Sequence, residues 1–157
     1  IHASTGLAPD LKWPNDLFIN GRKVAGVLAE ATSSSTGTWV VLGFGINVSV
    51  AAYPPEVTDL ATSLAGEAGV PVVRGHVLAE CLSGLAHRYQ DLVDGRRRSV
   101  LDGWRNRATA MTGRRVQWSE AGGTREGVAD GIDDAGALVV RTDVGATRVM
   151  AGDVRWP

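Results

Sequence analysis

The stretch Lys12-Trp13-Pro14-Asn15-Asp16-Leu17-Phe18-Ile19-Asn20-Gly21-Arg22-Lys23-Val24-Ala25-Gly26-Val27-Leu28-Ala29-Glu30 decides how this chain folds. Pro14 fixes its own φ and drives Trp13 towards extended geometry, so a turn precedes the apolar run and Asn15 and Asp16 are held at a strand edge. Asn20-Gly21 between two apolar segments predicts a tight type I′ hairpin, because both central residues of that turn need φ > 0. A polar turn, Ser33-Ser34-Ser35-Thr36-Gly37, then leads into a third predicted strand that ends in Gly43-Phe44-Gly45-Ile46-Asn47. The hairpin and third strand together occupy 11–48.

Adjacent strands therefore carry one lysine, two glycines and two asparagines. Gly43, Gly45 and Asn47 share a face of their strand. The two glycines leave that face bare, so a flat ligand can lie against the backbone there. Lys23 follows the turn on a mostly apolar strand, with small Ala25 and Gly26 after it. An ammonium in that setting needs water or a counter-charge, and an anionic ligand would supply one. Strict alternation puts Lys23 and Glu30 on opposite faces. Plainer readings stand beside these: each glycine as a turn or bulge residue, Lys23 as a solvated edge lysine, Asp16 as a turn cap.

The bulk numbers narrow the classes. With 44% hydrophobic and 21% charged residues over 157 positions, the chain suits one moderate globular domain, or a domain with a small appendix. No apolar run approaches the ~20 residues of a membrane span, and no signal peptide is visible. The net charge is −1, spread so evenly that neither half is a basic module, so nucleic-acid binding is not expected. Arg96-Arg97-Arg98 reads as a solvated helix start. The single cysteine, Cys81, cannot form an internal disulfide and suits a reducing cytoplasm.

Along the chain, residues 1–9 read as the tail of a helix closed by Gly6. Residues 49–59, with Pro54-Pro55, read as a loop. Thr58 or Asp59 is the expected cap of a short helix over 60–68, stopped by Gly69 and Pro71. The longest helix is predicted from about His76 to Val93. Val77, Leu78, Cys81, Leu82, Leu85, Ala86, Tyr89, Leu92 and Val93 recur at three- and four-residue steps along it, forming one apolar stripe. His76 and His87 fall off the stripe, and no His/Cys/carboxylate cluster proposes a protein-built metal site. A further helix over about 98–109 carries Trp104, expected to pack at the junction with the C-terminal segment. Trp39 and Trp118 are expected to be strand packing residues. From Met111 the pattern changes to short strands over 115–119, 124–132, 137–142 and 147–151. Ala121-Gly122-Gly123, Asp133-Asp134-Ala135-Gly136 and Asp143-Val144-Gly145 separate them, a spacing that suggests a small barrel.

KWPND at 12–16, Lys-x-x-Gly-x-Leu-x-Glu at 23–30 and Gly-x-Gly-Ile-Asn at 43–47, in that order, resemble the catalytic part of the biotin protein ligases. The resemblance extends more loosely through Ala61-Thr62-Ser63-Leu64 and the long helix to the C-terminal strands. It implies an α+β fold: a mixed or antiparallel sheet with packed helices, a partial class II synthetase-like core, over 1–110. An SH3-like β-barrel would follow over 111–157. The implied activity is attachment of biotin to a lysine of the biotin carboxyl carrier domain of an acyl-CoA carboxylase, through biotinyl-5′-AMP. Its substrates are biotin and ATP with Mg²⁺, and its setting is the cytoplasm, as a monomer or a homodimer.

Residue by residue, Lys23 matches the lysine that contacts the biotin carboxyl and then the adenylate phosphate. Gly26, Gly43, Gly45 and Ile46 match the lining of the biotin and adenylate pocket. Lys12, Asn15, Asp16 and Asn47 match positions near the nucleotide phosphates and Mg²⁺, Lys12 being either a phosphate contact or a partner of Asp16. In this region the family covers the adenylate with the loop at 49–59, where Tyr53 is present but no tryptophan. Asp153 resembles a C-terminal acidic position, while the tail Arg155-Trp156-Pro157 departs from the pattern. The family's Gly-Arg-Gly-Arg-type phosphate loop precedes KWPND and is not in the sequence given, nor is the DNA-binding domain of repressor-type ligases. The expectation is therefore roughly the second half of a ligase. Two alternatives stand beside it: a lipoate ligase or acyltransferase relative, which shares the lysine-centred site, and a truncated non-catalytic module that binds the carrier protein.

Overall fold

The computed structural model of the protein describes residues 1–50, 53–120 and 123–156. Ala121 and Gly122, from one of the expected turns, lie outside the described residues. The fold is α+β, with two antiparallel sheets and few helices. The chain forms two compact units: residues 1–9 with 15–78, and residues 10–14 with 79–157. The change of pattern at 111 marks where helices give way to short strands. The units instead group the helical residues 79–109, and Lys12-Trp13-Pro14, with those strands.

In the first unit, helix α1 (His2–Thr5) ends at Gly6, whose φ of 73° closes it as expected. Strands β2 (Asp16–Ile19) and β3 (Arg22–Ser34) form the hairpin. Its turn residues Asn20 and Gly21 have φ of 51° and 78°, the left-handed pair that Asn-Gly supplies at least cost. Strand β4 (Gly37–Ile46) pairs antiparallel with β3 over ten residue pairs. The chain then crosses a 3₁₀ turn (Pro55–Val57) to helix α2 (Leu64–Ala68), which Gly69 ends. The cap of α2 is Ser63, whose Oγ accepts from the Gly66 N–H at 3.2 Å, and not Thr58 or Asp59. The helix starts late because Ala61 is bridged to Lys23, which holds the preceding residues extended.

Helix α3 (Arg74–Val93) has the length and register that its apolar spacing predicts. Of the stripe, Val77 is buried, whereas Leu78, Leu82, Leu85, Tyr89, Leu92 and Val93 are exposed. Spacing at 3.6 residues specifies a face, and something must cover that face before it becomes core. Trp39 corrects a second expectation. It is 71% exposed, along with Val40 and Val41, because β4 is an edge strand whose ten residues are almost all exposed.

The second unit holds the principal core. Strands β5 (Arg115–Glu120), β6 (Gly123–Ile132), β7 (Leu138–Thr142), β8 (Gly145–Val149) and β9 (Val154–Arg155) form one sheet in the order β8-β7-β6-β5-β9. Strand β9, two residues long, has no periodic signal of its own. Alternation buries Val116 and Trp118 from β5 and Leu138 and Val140 from β7, with Ala129, Val149 and Val154. Trp104 of helix α4 (Arg97–Arg105) packs against this cluster as expected, and Trp118 is a packing residue as expected. Arg96 lies just before α4 and closes onto Asp91 and Asp94 at 2.8 and 2.7 Å.

Trp13 belongs to the same cluster. Strand β1 (Asp10–Lys12) is anchored by the Leu11 N–H donating to Arg107 O, and a cis Trp13–Pro14 peptide follows it. The Trp13 indole lies against Met111 and the buried valines, and its Nε1–H donates to Gly136 O at 3.0 Å. Trp13→Ala removes this ring and orphans that carbonyl. Loss of about 3–5 kcal/mol from the second unit is expected, read as a fall in its thermal midpoint by tryptophan fluorescence.

Candidate functional site

The site grows from an irregularity in the hairpin. Opposite β2, Leu17 pairs with Ala25 and Phe18 with Lys23, so Val24 is an extra residue and β3 carries a bulge there. A bulge changes side-chain parity. The Lys23 Nζ comes to 3.5 Å from where a Cβ on Gly26 would stand, and Asp16 Oδ1 to 3.2 Å. Lys23 therefore shares the face of Gly26, and strict alternation, which put Lys23 and Glu30 on opposite faces, fails at this bulge. Glu30 lies seven residues beyond Lys23 along the strand.

On that face Lys23 Nζ and Asp16 Oδ1 form an ion pair of 2.5 Å, with half the lysine side chain open to solvent. Asp16, Gly26 and Gly45 are register partners in a row across three strands, and Leu28 pairs with Gly43 two steps on. A Cβ on Gly45 would meet nothing within 4 Å, and one on Gly43 only Leu28 O at 3.9 Å. The result is bare backbone ending at a paired ammonium. It can take a flat group against the glycines and an anion at Lys23, with Asp16 holding the ammonium while that place is empty.

Other expected site residues are distributed differently. Asn15 exchanges bonds with β3: its Nδ2–H donates to Val27 O at 2.7 Å, and Val27 N–H donates to Asn15 O at 2.9 Å. Asn47 acts as a fastener. Its N–H donates to Val24 O, its O accepts from Leu64 N–H, and its Nδ2–H donates to Thr62 O at 3.0 Å. Alternation turns Ile46 to the opposite face from Gly45. There it lines an apolar cleft of about 380 Å³ with Phe44, Val48, Arg74 and Val77. Lys12 belongs to the second unit, where its Nζ lies 5.5 Å from the Trp156 ring centroid, beside Arg114 at 4.3 Å. Asp153 pairs with Arg155 in the exposed tail.

Behind Lys23 stands a polar cluster that residue spacing alone did not reveal. Glu67, on α2, has a side chain only 5% exposed. Its Oε1 accepts from Thr62 Oγ1 and Arg22 Nη2, both at 2.6 Å, and its Oε2 accepts from Asn20 Nδ2 at 2.7 Å. The one available signal was a glutamate inside the short, otherwise uncharged helix Leu64-Ala65-Gly66-Glu67-Ala68. The Thr62 hydroxyl, against the opposing effect of burial, and then Asn20 and Arg22 hold its carboxyl below the ordinary glutamate range. A carboxyl depressed on folding adds stability that is complete above its unfolded value and is lost as pH falls through its folded value. The first unit should therefore lose stability in acid with a component that Glu67→Gln abolishes. Urea unfolding of the two proteins between pH 3 and 7 checks this.

Two family models match the chain. Residues 4–47 match the Biotin/lipoate A/B protein ligase family, and residues 112–155 match the Biotin protein ligase C terminal domain. The biotin–[acetyl-CoA-carboxylase] ligase of Mycobacterium tuberculosis is 38% identical over 156 residues, covering 97% of this chain and 53% of that protein. The bifunctional ligase/repressor BirA of Bacillus subtilis is 33% identical over 157 residues, covering 98% of this chain and 48% of that protein. The chain thus spans about half the length of these curated relatives. Among solved structures, the Aquifex aeolicus biotin protein ligase in complex with biotin and ATP superposes with a TM-score of 0.85 at 25% identity, covering 99% of this chain and 66% of that one. Among the described residues no helix is long and apolar enough to cross a membrane.

Proposed function

The chain belongs to the biotin protein ligase family, and from that premise we propose that it carries the lysine-centred part of a site that joins biotin to ATP and passes it to a protein lysine. The acceptor in this reading is the carrier domain of an acyl-CoA carboxylase, and the compartment is the cytoplasm. Residues 1–110 are assigned to a partial catalytic core and 111–157 to an SH3-like C-terminal domain, a division supported by the ranges of the two family matches.

The observation that carries the reading is the Lys23–Asp16 pair standing at the end of the Gly26–Gly45 row. A biotin carboxylate oxygen attacks the α-phosphorus of ATP, the bond to the β-phosphate oxygen breaks, and pyrophosphate leaves with that electron pair. Two anions must meet, and charge builds on the α-phosphoryl oxygens. A fixed ammonium already aimed at that place lowers the cost. Lys23 supplies it, first to the carboxylate and then to the adenylate phosphate. Gly26, Gly43 and Gly45 form the floor against which the ligand lies. Mg²⁺ would enter with ATP and offset the phosphate charge, and Asp16 would be the carboxylate available to hold it. The acceptor lysine then attacks the mixed anhydride and AMP leaves.

Pyrophosphate release from MgATP with and without biotin tests this. Release that requires biotin, and that lipoate does not inhibit, is the expected result. Folded protein that neither releases pyrophosphate nor binds biotinyl-5′-AMP would overturn it.

A further inference from the structure

Beyond its place opposite Phe18 in the hairpin and its ion pair to Asp16, the Lys23 backbone is fixed by a contact only one residue long. Its N–H donates to Leu60 O at 2.7 Å and its O accepts from Thr62 N–H at 2.9 Å, an isolated parallel bridge to Ala61. The segment 60–62 is not a strand, so no further ladder holds it in register. On the other side Lys23 sits beside the bulge at Val24, where β2 and β3 are least regular. Asp16 holds the ammonium, but a peptide placed between a bulge and a single bridge needs something else to keep its backbone in position.

We propose that Glu67 is the positioning residue that sets Lys23, acting through Arg22 and Thr62 without touching the lysine or its ligand. This rests on the reading of Lys23 given above. One carboxylate takes the residue before Lys23, the hydroxyl of the residue after its bridge partner, and the amide of the turn residue Asn20. The two segments that bracket Lys23 are thereby tied to the same buried anchor on α2. Thr62 is 4% exposed, so its hydroxyl has no ready replacement for Glu67 in solvent. Asn47 Nδ2–H holds Thr62 O from the other side, at the end of β4, which links the anchor to the glycine strand.

A merely stabilising glutamate and a positioning one predict different results. The test compares Glu67→Ala and the near-isosteric Thr62→Val with wild type, each alone and combined with Lys23→Ala. Amide hydrogen exchange is read at Lys23 and Thr62, with Val27, bonded to Asn15 O, as an internal reference. Loss of protection of tenfold or more at Lys23 and Thr62, with Val27 unchanged, is expected in both single variants. Biotinyl-5′-AMP affinity should fall about tenfold in each, and should not fall further when either is added to Lys23→Ala, because residues acting through one group are not additive. Uniform loss of protection across the unit, or additive losses of affinity, would leave Glu67 as a fold residue and overturn the proposal. If wild type does not bind the adenylate, the reading of Lys23 fails, and the exchange pattern at Lys23 and Thr62 still decides whether Glu67 holds that peptide.

Discussion

Gly127→Ala should strongly destabilise the second unit. A Cβ at this position would stand 2.5 Å from Arg141 O and 2.5 Å from Val140 Cγ1, with Arg141 C at 3.3 Å. The first obstacle is backbone and cannot swing aside. The second belongs to a fully buried side chain packed in the main cluster. Relief requires β6 to separate from β7 beside the Val128–Arg141 and Ala129–Val140 pairs, while Val116 fixes Gly127 from β5. Overpacking by one methyl ordinarily costs about 1–3 kcal/mol, with larger values where backbone must move. Here about 3–5 kcal/mol is expected, which at about 4–8 °C per kcal/mol for a domain of this size moves the midpoint by more than about 10 °C. Gly45→Ala is the matched control: the same methyl meets nothing within 4 Å and should leave the fold intact. Equal midpoints for Gly127→Ala and wild type by calorimetry would mean that β6 and β7 lie further apart than these distances.

These two glycines show what a sequence can disclose. Both sit in strands and carry the same local signal, a missing side chain. Which one admits a neighbouring strand and which one leaves open surface depends on register, and register is set by residues elsewhere. The Asn20-Gly21 hairpin was legible because its cause is local: two left-handed residues in succession. The glycine face of β4 was legible for the same reason, since alternation along one strand is enough to place Gly43 with Gly45.

The losses came wherever a nonlocal contact overrode a local rule. The bulge at Val24 reversed the parity of Lys23, and nothing in the run Arg22-Lys23-Val24-Ala25 announces it. The bridge at Ala61 delayed α2 and moved its cap to Ser63. Trp13 read as an extended residue beside a proline, yet its backbone and ring meet Met111, 98 positions away. Glu67 reaches its partners on the hairpin across 45 and 47 positions. The stripe of α3 was read correctly as spacing, but spacing does not reveal a partner, and most of that face is exposed.

Lys23→Ala should have the largest effect on chemistry with little effect on fold. The lysine side chain is about half exposed and its backbone bonds survive the substitution, so hydrophobic burial changes little. What is lost is the ammonium beside the glycine row, and with it the partner of Asp16. An unpaired carboxylate then faces the position where a second and a third anion must enter. The change removes an attraction and leaves a repulsion in its place. Removing one preorganised donor from a site where charge develops costs about 10²–10³-fold in rate, and the unpaired Asp16 charge adds to it. Biotin-dependent pyrophosphate release should fall by at least that factor, and biotinyl-5′-AMP affinity should fall with it. Lys23→Arg should recover little, because a planar guanidinium is wider than an ammonium and would lie over the Gly26 surface that the ligand needs. Lys23→Ala combined with Asp16→Asn should recover part of the affinity, since the repulsion is then gone while the attraction stays lost. Wild-type affinity and release in Lys23→Ala would move the charge-bearing centre of this site away from the hairpin altogether.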